Sequence, residues 1–254
     1  MFDPDHPIFI AGPCAIESAA ILDEVAAELV RLREKFGLQI VFKSSFDKAN
    51  RTSIGSYRGV GLQKGMEMFA EVKRRFNLPL TTDIHEPWQA AEVAPTVDVI
   101  QIPAFLCRQT DLLVAAARTG RIVNIKKAQF LSGDDMRYPV QKVVEGGGVE
   151  AWLTERGNSF GYNNLVVDFR NLPIMKRHTR RVVMDCTHSV QRPGSGSGTT
   201  GGDREYIPAI ALAARAFGAN GYFFEVHPDP DSSFSDGPNM LRLKDLESVI
   251  TSLL

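Results

Sequence analysis

No stretch of the chain approaches the roughly 18 consecutive apolar residues of a membrane helix, so a bilayer span is not expected. Cysteine is scarce, and the three present (Cys14, Cys107 and Cys186) are an odd set. That argues against a disulfide scaffold and for reduced thiols in a cytoplasmic protein. Net charge is nearly absent too, at -1, so the overall field gives no reason to expect nucleic acid or an anionic membrane as partner. Any positive site has to be local. The start, MFDPDHP, is acidic and proline-punctuated, unlike a signal peptide. Phosphate-binding Walker and dinucleotide G-x-G-x-x-G patterns are missing after the first strand-like run; GSGSG stands in the wrong context. Basic residues are not interleaved with aromatics along a groove-like run, a further argument against nucleic acid.

What remains is an ordinary globular composition, 44% hydrophobic and 23% charged, over 254 residues. Short apolar runs alternate with stretches of helical spacing. The runs read as buried parallel strands at Ile8–Ala11, Gln39–Lys43, Leu80–Asp83, Val99–Ile102, Ile122–Lys126, Ala151–Glu155, Val182–Asp185 and Gly221–Val226. Helices are expected at about Ala19–Lys35, Leu62–Phe76, Pro87–Val93, Gln109–Arg118, Met136–Glu145, Leu172–Lys176, Arg204–Phe217 and Leu243–Leu253. Eight such units in about 250 residues suit a (β/α)8 TIM barrel, with a doubly wound open sheet as the competitor. No linker or composition break divides the chain, so residues 1–254 are expected to form one domain. The glycine-rich segment Ser189–Gly202 would join nothing as a linker and reads as a mobile loop over the active face.

Polar residues gather just after the strand ends, on the face where barrel enzymes keep their chemistry. In FIAGPCAIES, Cys14 stands where the first strand stops. Cys14, His188, Glu225 and Asp236 belong to the ends of the first, seventh and eighth strands and the loops after them, and these strands become neighbours when a barrel closes. Thiolate, imidazole and carboxylates together suit a first-row divalent metal such as zinc, iron or manganese. Singly, each has a plainer reading: a small buried hydrophobe for Cys14, a satisfied loop histidine, a helix cap or surface carboxylate. A second set, Lys43, Lys48, Arg51, Lys126 and Arg156 with Arg108, is expected on the opposite side of the mouth. Buried cations without partners are costly. They imply an anionic guest, phosphate or carboxylate, unless they close salt bridges with Asp83, Asp185 and Glu155.

GPCAIES, FKSSFDKANR, SYRGVGL, TDIHE, QIPAFLCRQTDL, NIKKAQF, DCTHSVQ and SDGP occur in that order over nearly the whole chain. Together they resemble the 3-deoxy-D-manno-octulosonate 8-phosphate synthase family. The resemblance implies a (β/α)8 barrel, usually a homotetramer, that condenses phosphoenolpyruvate with D-arabinose 5-phosphate, releases phosphate and feeds lipopolysaccharide synthesis. The metal-independent branch has asparagine at the position of Cys14, so the cysteine implies the metal-dependent branch with Cys14, His188, Glu225 and Asp236 as ligands. It also implies that Lys43, Lys48, Lys126 and Arg156 hold phosphoenolpyruvate, with Gln101 and Gln129 nearby. Asn50 and Arg51 would hold the pentose phosphate, with Arg108 reaching in from a neighbouring subunit. Catalytic roles then fall to Lys43, Lys48, Asn50, Asp83, Lys126 and His188. Thr52 stands where the family often has serine and keeps the hydroxyl. The related 3-deoxy-arabino-heptulosonate 7-phosphate synthases carry a KPRTS-like motif where this chain has KANRTS; a non-catalytic sugar-phosphate-binding barrel is the other alternative.

Overall fold

The structure is a computed structural model that describes residues 2–51, 53–196 and 199–254. Thr52 and residues 197–198 of the glycine-rich segment therefore lie outside the described residues. Eight parallel strands form the barrel: β1 (Ile8–Gly12), β2 (Gln39–Lys43), β3 (Leu80–Asp83), β4 (Val99–Ile102), β5 (Ile122–Lys126), β6 (Ala151–Glu155), β7 (Arg181–Asp185) and β8 (Gly221–His227). Each pairs with the next, and β8 pairs back onto β1 with Ile8 opposite Gly221, which closes the sheet. The helices are α1 (Ala19–Phe36), α2 (Leu62–Phe76), α3 (Gln89–Val93), α4 (Thr110–Ala117), α5 (Arg137–Glu145), α6 (Asn171–Met175), α7 (Ile207–Ala216) and α8 (Leu246–Leu253). This is the (β/α)8 barrel, and closure disposes of the open-sheet alternative. Among the described residues no helix is long and apolar enough to cross a membrane.

Local signals explain most boundaries. Ser18 caps α1 by accepting the amide of Ile21 at 3.3 Å, and Gly37 ends it in the left-handed region at φ 65°. The helical stretch from Arg204 begins as a single 3-10 turn, Arg204–Tyr206, and α7 starts only at Ile207, with Pro208 in its first turn. The glycine-rich segment carries regular structure over most of its length: Gln191–Gly196 and Thr199–Gly202 pair antiparallel as a hairpin. A second short hairpin pairs Asn158–Ser159 with Leu165–Val166.

The period-two alternation of the strands divides two cores. Outward residues such as Phe9, Ile40, Ile100, Leu153 and Phe224 pack under the helices. Inward residues Ile8, Ile10, Val41, Val99, Ile122, Trp152, Val183 and Phe223 fill the barrel. The N-terminal segment closes its lower end. Phe2 sets its ring edge-on to Trp152 at 5.4 Å, and Arg181 donates to the carbonyls of His6 and Asp3, each at 2.8 Å. Above the apolar layers, the last inward position of each strand except β1 is polar. These positions hold Lys43, Asp83, Gln101, Lys126, Thr154, Asp185 and, on the longer β8, Glu225 followed by His227, with Arg156 just beyond β6. On β1 the same level is Gly12, where an added Cβ would sit 1.8 Å from the Lys43 carbonyl oxygen. The two backbones approach so closely that only glycine fits.

Candidate active site at the barrel mouth

Cys14 is fully buried in the turn after β1. Its thiol lies 3.0 Å from the Ser235 hydroxyl and donates to the Asp236 carboxylate at 3.4 Å. Ligand atoms of Cys14, Glu225 and Asp236 all fall within 4.8 Å of one another. Asp236 adopts left-handed backbone at φ 52°, a conformation aspartate tolerates better than most residues, and this turns its carboxylate toward the thiol. His188 stands at the edge of this triplet. Its Nδ1 meets Asp185 Oδ2 at 2.7 Å, which leaves Nε2 facing Glu225 Oε2 at 3.5 Å. Asp185 is fully buried and also accepts the backbone amides of Thr187 (3.2 Å) and His188 (2.9 Å). It therefore fixes the ring that Nε2 presents.

This donor set fits a divalent cation. Glu225 Oε2 is buried and has no hydrogen-bond partner among the described residues. Burial, with Glu225 and Asp236 added, pushes the Cys14 thiol well above its ordinary value, and a cation among these three groups would reverse that. Burial alone would also raise the Glu225 carboxyl. Lys48, His188, Lys43 and Lys126 outweigh it and hold the group well below the usual carboxylate range.

The basic residues converge on the same cavity. Lys43 Nζ donates to Glu225 Oε1 at 3.0 Å and to the Cys14 carbonyl at 3.3 Å; Lys48 Nζ lies 3.5 Å from the same Glu225 oxygen. Lys126 donates to Asp185 and sits over the Phe223 ring, 3.9 Å from its centroid. Arg156 donates from Nη2 to Gln191 Oε1 at 2.7 Å, whereas its Nη1 is buried without a partner among the described residues. Arg51 pairs with Asp236 at 3.5 Å and donates to the Phe234 carbonyl at 3.0 Å. A cleft of about 380 Å³ opens there, lined by Arg51, Thr200, Ser233, Phe234, Ser235 and Asp236. Asp83 accepts from Ser45 and Gln101, and Gln101 accepts from Asn124 at 3.1 Å. Gln129 keeps a buried Oε1 that is likewise unpartnered among the described residues.

One sequence expectation is corrected. The acidic and basic sets do not occupy opposite flanks; they interleave. Lys43 and Glu225 stand on the strands either side of β1, and the bare Gly12 between them lets the two side chains meet across it. The internal salt bridges foreseen as an alternative exist for Lys43–Asp83, at 3.8 Å, and for Lys126–Asp185. Five cations nevertheless face four carboxylates, and Arg156 and Arg51 retain buried N–H groups unpaired among the described residues. Asn50 and Arg108 are exposed rather than in this cluster, and among the described residues no hydrogen bond or ion pair engages the Arg108 guanidinium. Ser45, Ser235 and the orienting role of Asp185 escaped the sequence reading. The i, i+3 spacing of Asp185 and His188 in DCTH was the available signal for the last.

Asp83 yields a stability prediction. Burial would raise its pKa, but Lys43, Lys48, Lys126 and the Ser45 hydroxyl pull it far below the ordinary value of about 3.9. A depressed carboxyl contributes stability that is complete above the unfolded pKa and drains away as pH falls toward the folded one. The melting temperature is expected to hold between about pH 5 and 7 and drop steeply below about pH 4. Asp83→Asn should melt lower at neutral pH and show a shallower acid limb. Parallel acid limbs in pH-resolved circular dichroism melts would discard this assignment.

A family model described as the DAHP synthetase I family matches residues 3–253. The chain belongs to that family. Within it, the chain is 56% identical over 245 residues to a 2-dehydro-3-deoxyphosphooctonate aldolase of Rhizobium meliloti, covering 96% of this chain and 88% of the relative. It is 53% identical over 243 residues to the protein of the same name from Fusobacterium nucleatum, covering 96% and 87%. A third, from a Synechococcus species, is 54% identical over 243 residues, covering 96% and 86%.

Proposed function

We propose that the chain is a 3-deoxy-D-manno-octulosonate 8-phosphate synthase (2-dehydro-3-deoxyphosphooctonate aldolase). It is a transferase that condenses phosphoenolpyruvate, D-arabinose 5-phosphate and water to the eight-carbon sugar-acid phosphate and inorganic phosphate, for lipopolysaccharide biosynthesis. The relatives' shared name supports the reaction. The observation that carries it is the meeting, in one cavity, of the Cys14, Glu225 and Asp236 donor set with Lys43, Lys48, Lys126 and Arg156.

Lys43, Lys48, Lys126 and Arg156 bind the carboxylate and phosphate of phosphoenolpyruvate, with Gln101 and Gln129 at its edge. Arg156 Nη1, buried and without a partner among the described residues, offers a donor for a phosphate oxygen. Arg51, beside Asp236 in the cleft, takes the pentose phosphate, with Asn50 and Thr52 given to the same substrate by the sequence resemblance alone. C3 of the enol phosphate attacks the aldehyde carbon, whose oxygen gains a proton. Water adds at C2, and the C–O bond to phosphate then breaks. The cations fix both reactants and balance charge as it develops at C2 and on the departing phosphate. Cys14, His188, Glu225 and Asp236 would hold a divalent ion of the zinc, iron or manganese kind, with Asp185 setting the His188 tautomer. When bound, the ion supplies Lewis-acid polarisation of an aldehyde or water oxygen. The hairpin of Gln191–Gly196 and Thr199–Gly202, tied to Arg156 through Gln191, acts as the lid. Arg108, exposed and with its guanidinium unengaged among the described residues, completes the site of a neighbouring subunit in a homotetramer. The enzyme works in the cytoplasm.

Phosphate release tests the proposal. Phosphoenolpyruvate with arabinose 5-phosphate should give rapid release that a chelator stops and added divalent metal restores. Preference for erythrose 4-phosphate would move the chain to the heptulosonate synthases. No release with any aldose phosphate, metal supplied, would leave a binding barrel.

A further inference from the structure

Two fully buried charges stand just outside the barrel mouth and take no part in the chemistry above. Lys127 and Glu155 are both completely inaccessible, and Lys127 Nζ lies 3.3 Å from Glu155 Oε1. They follow from strand alternation. Lys126 points into the barrel, so Lys127 points out; Arg156 points in, so Glu155 before it points out. The pair sits behind β5 and β6, back to back with the substrate-facing cations.

Burying an ion pair seldom stabilises a fold more than apolar packing would, so its contacts have to explain it. Lys127 Nζ donates among the carbonyls of Leu131 at 3.1 Å and Ala128 at 3.3 Å and the Asn158 side-chain oxygen at 2.9 Å. Glu155 Oε1 accepts the backbone amides of Arg156 at 2.8 Å and Gly157 at 2.6 Å. Gly157, at φ +87°, turns the chain so that both amides meet one oxygen. Asn158 Nδ2 donates to the Leu131 carbonyl at 2.9 Å, and the Ser159 amide to the Gln129 carbonyl at 3.0 Å. Both of these links join the loop after β5 to the loop after β6. The clamp thus holds together the two loops that carry Gln129 and Arg156, whose Oε1 and Nη1 atoms are buried and unpartnered among the described residues.

We infer that Lys127 and Glu155 are positioning residues for the anion side of the site. Their ion pair sets the loop geometry that aims Lys126, Gln129 and Arg156 at phosphoenolpyruvate. This rests on the function proposed above.

The test is steady-state kinetics on the metal-loaded enzyme, varying each substrate separately, with thermal melts alongside. Glu155→Gln and Lys127→Met should each raise the KM for phosphoenolpyruvate by about tenfold or more, as removal of supporting partners does elsewhere. The KM for arabinose 5-phosphate should stay within about twofold. The charge-free Lys127→Met/Glu155→Gln pair should melt above either single variant, because neither buried charge is then stranded, yet keep the raised KM. Asn158→Ala leaves both buried charges in place, so it reads the clamp even where the other variants misfold; an increase of about threefold in the same KM alone is expected. Lower melting temperatures with both KM values unchanged would overturn the inference and reduce the pair to a fold element. Failure of the wild-type chain to turn over these substrates would instead overturn the function on which it rests.

Discussion

Cys14→Ala should lose bound metal and turnover together. The substitution removes one small buried group, which costs the fold only about 1 kcal/mol, so a folded protein is expected. What it removes chemically is the thiol of the Cys14, Glu225 and Asp236 triplet. Glu225 and Asp236 then remain with Lys43, Lys48 and Arg51 as their partners. Turnover should fall by about a thousandfold or more, beyond the roughly 10- to 100-fold typical of lost outer partners. Elemental analysis of the purified variant should find little metal, while its melt stays close to that of the metal-free parent. Cys14→Ser, with a harder and less acidic donor, should fall between the two. A Cys14→Ala enzyme that keeps full turnover after chelation would remove metal from the reaction.

Lys126→Met has the second large effect, and its two consequences separate. Activity should fall by about 10²- to 10⁴-fold, chiefly as a higher KM for phosphoenolpyruvate, because the function proposed above gives this cation to its anionic groups. Stability should suffer less than the roughly 3–5 kcal/mol expected when a buried charge is stranded. Asp185 retains His188 Nδ1 and the amides of Thr187 and His188, which continue to satisfy its oxygens. Burial pulls the Lys126 ammonium below its usual pKa and Asp185 opposes this, so the pair is held by mutual need. Lys126→Met/Asp185→Asn should regain stability without regaining activity. If that double variant restored turnover, Lys126 would be a structural partner of Asp185 and nothing more.

The barrel itself was legible because strands buried on both faces read as short, mainly apolar runs, five of the eight ended by a charged residue. IVNIK gives β5, its lining residues and its inward lysine from alternation alone. The candidate donor residues could be gathered from strand order, since β7, β8 and β1 are neighbours once the sheet closes. Side-chain reach was not legible. Nothing in GPC says that Gly12 leaves room for Lys43 to touch Glu225 from the far side of β1, yet that contact decides how the two charge sets mix. The pairing of Gln191–Gly196 with Thr199–Gly202 was hidden for a related reason: glycines signal freedom, while cross-strand pairing depends on partners several residues away. Asn50 and Arg108 lie on exposed loops, where no periodicity constrains direction. Lys127 and Glu155 follow the inward Lys126 and precede the inward Arg156, and strand alternation turns both of them behind the rim.

The side chains that fill the barrel, with Phe2 and Arg181 beneath them, make it a cup, not a pipe. Arrivals and departures share one opening, so whichever guest sits deepest must load before the other and leave after it. Traffic through such a vessel is last in, first out, and an analogue lodged near the rim would trap whatever lies beneath it.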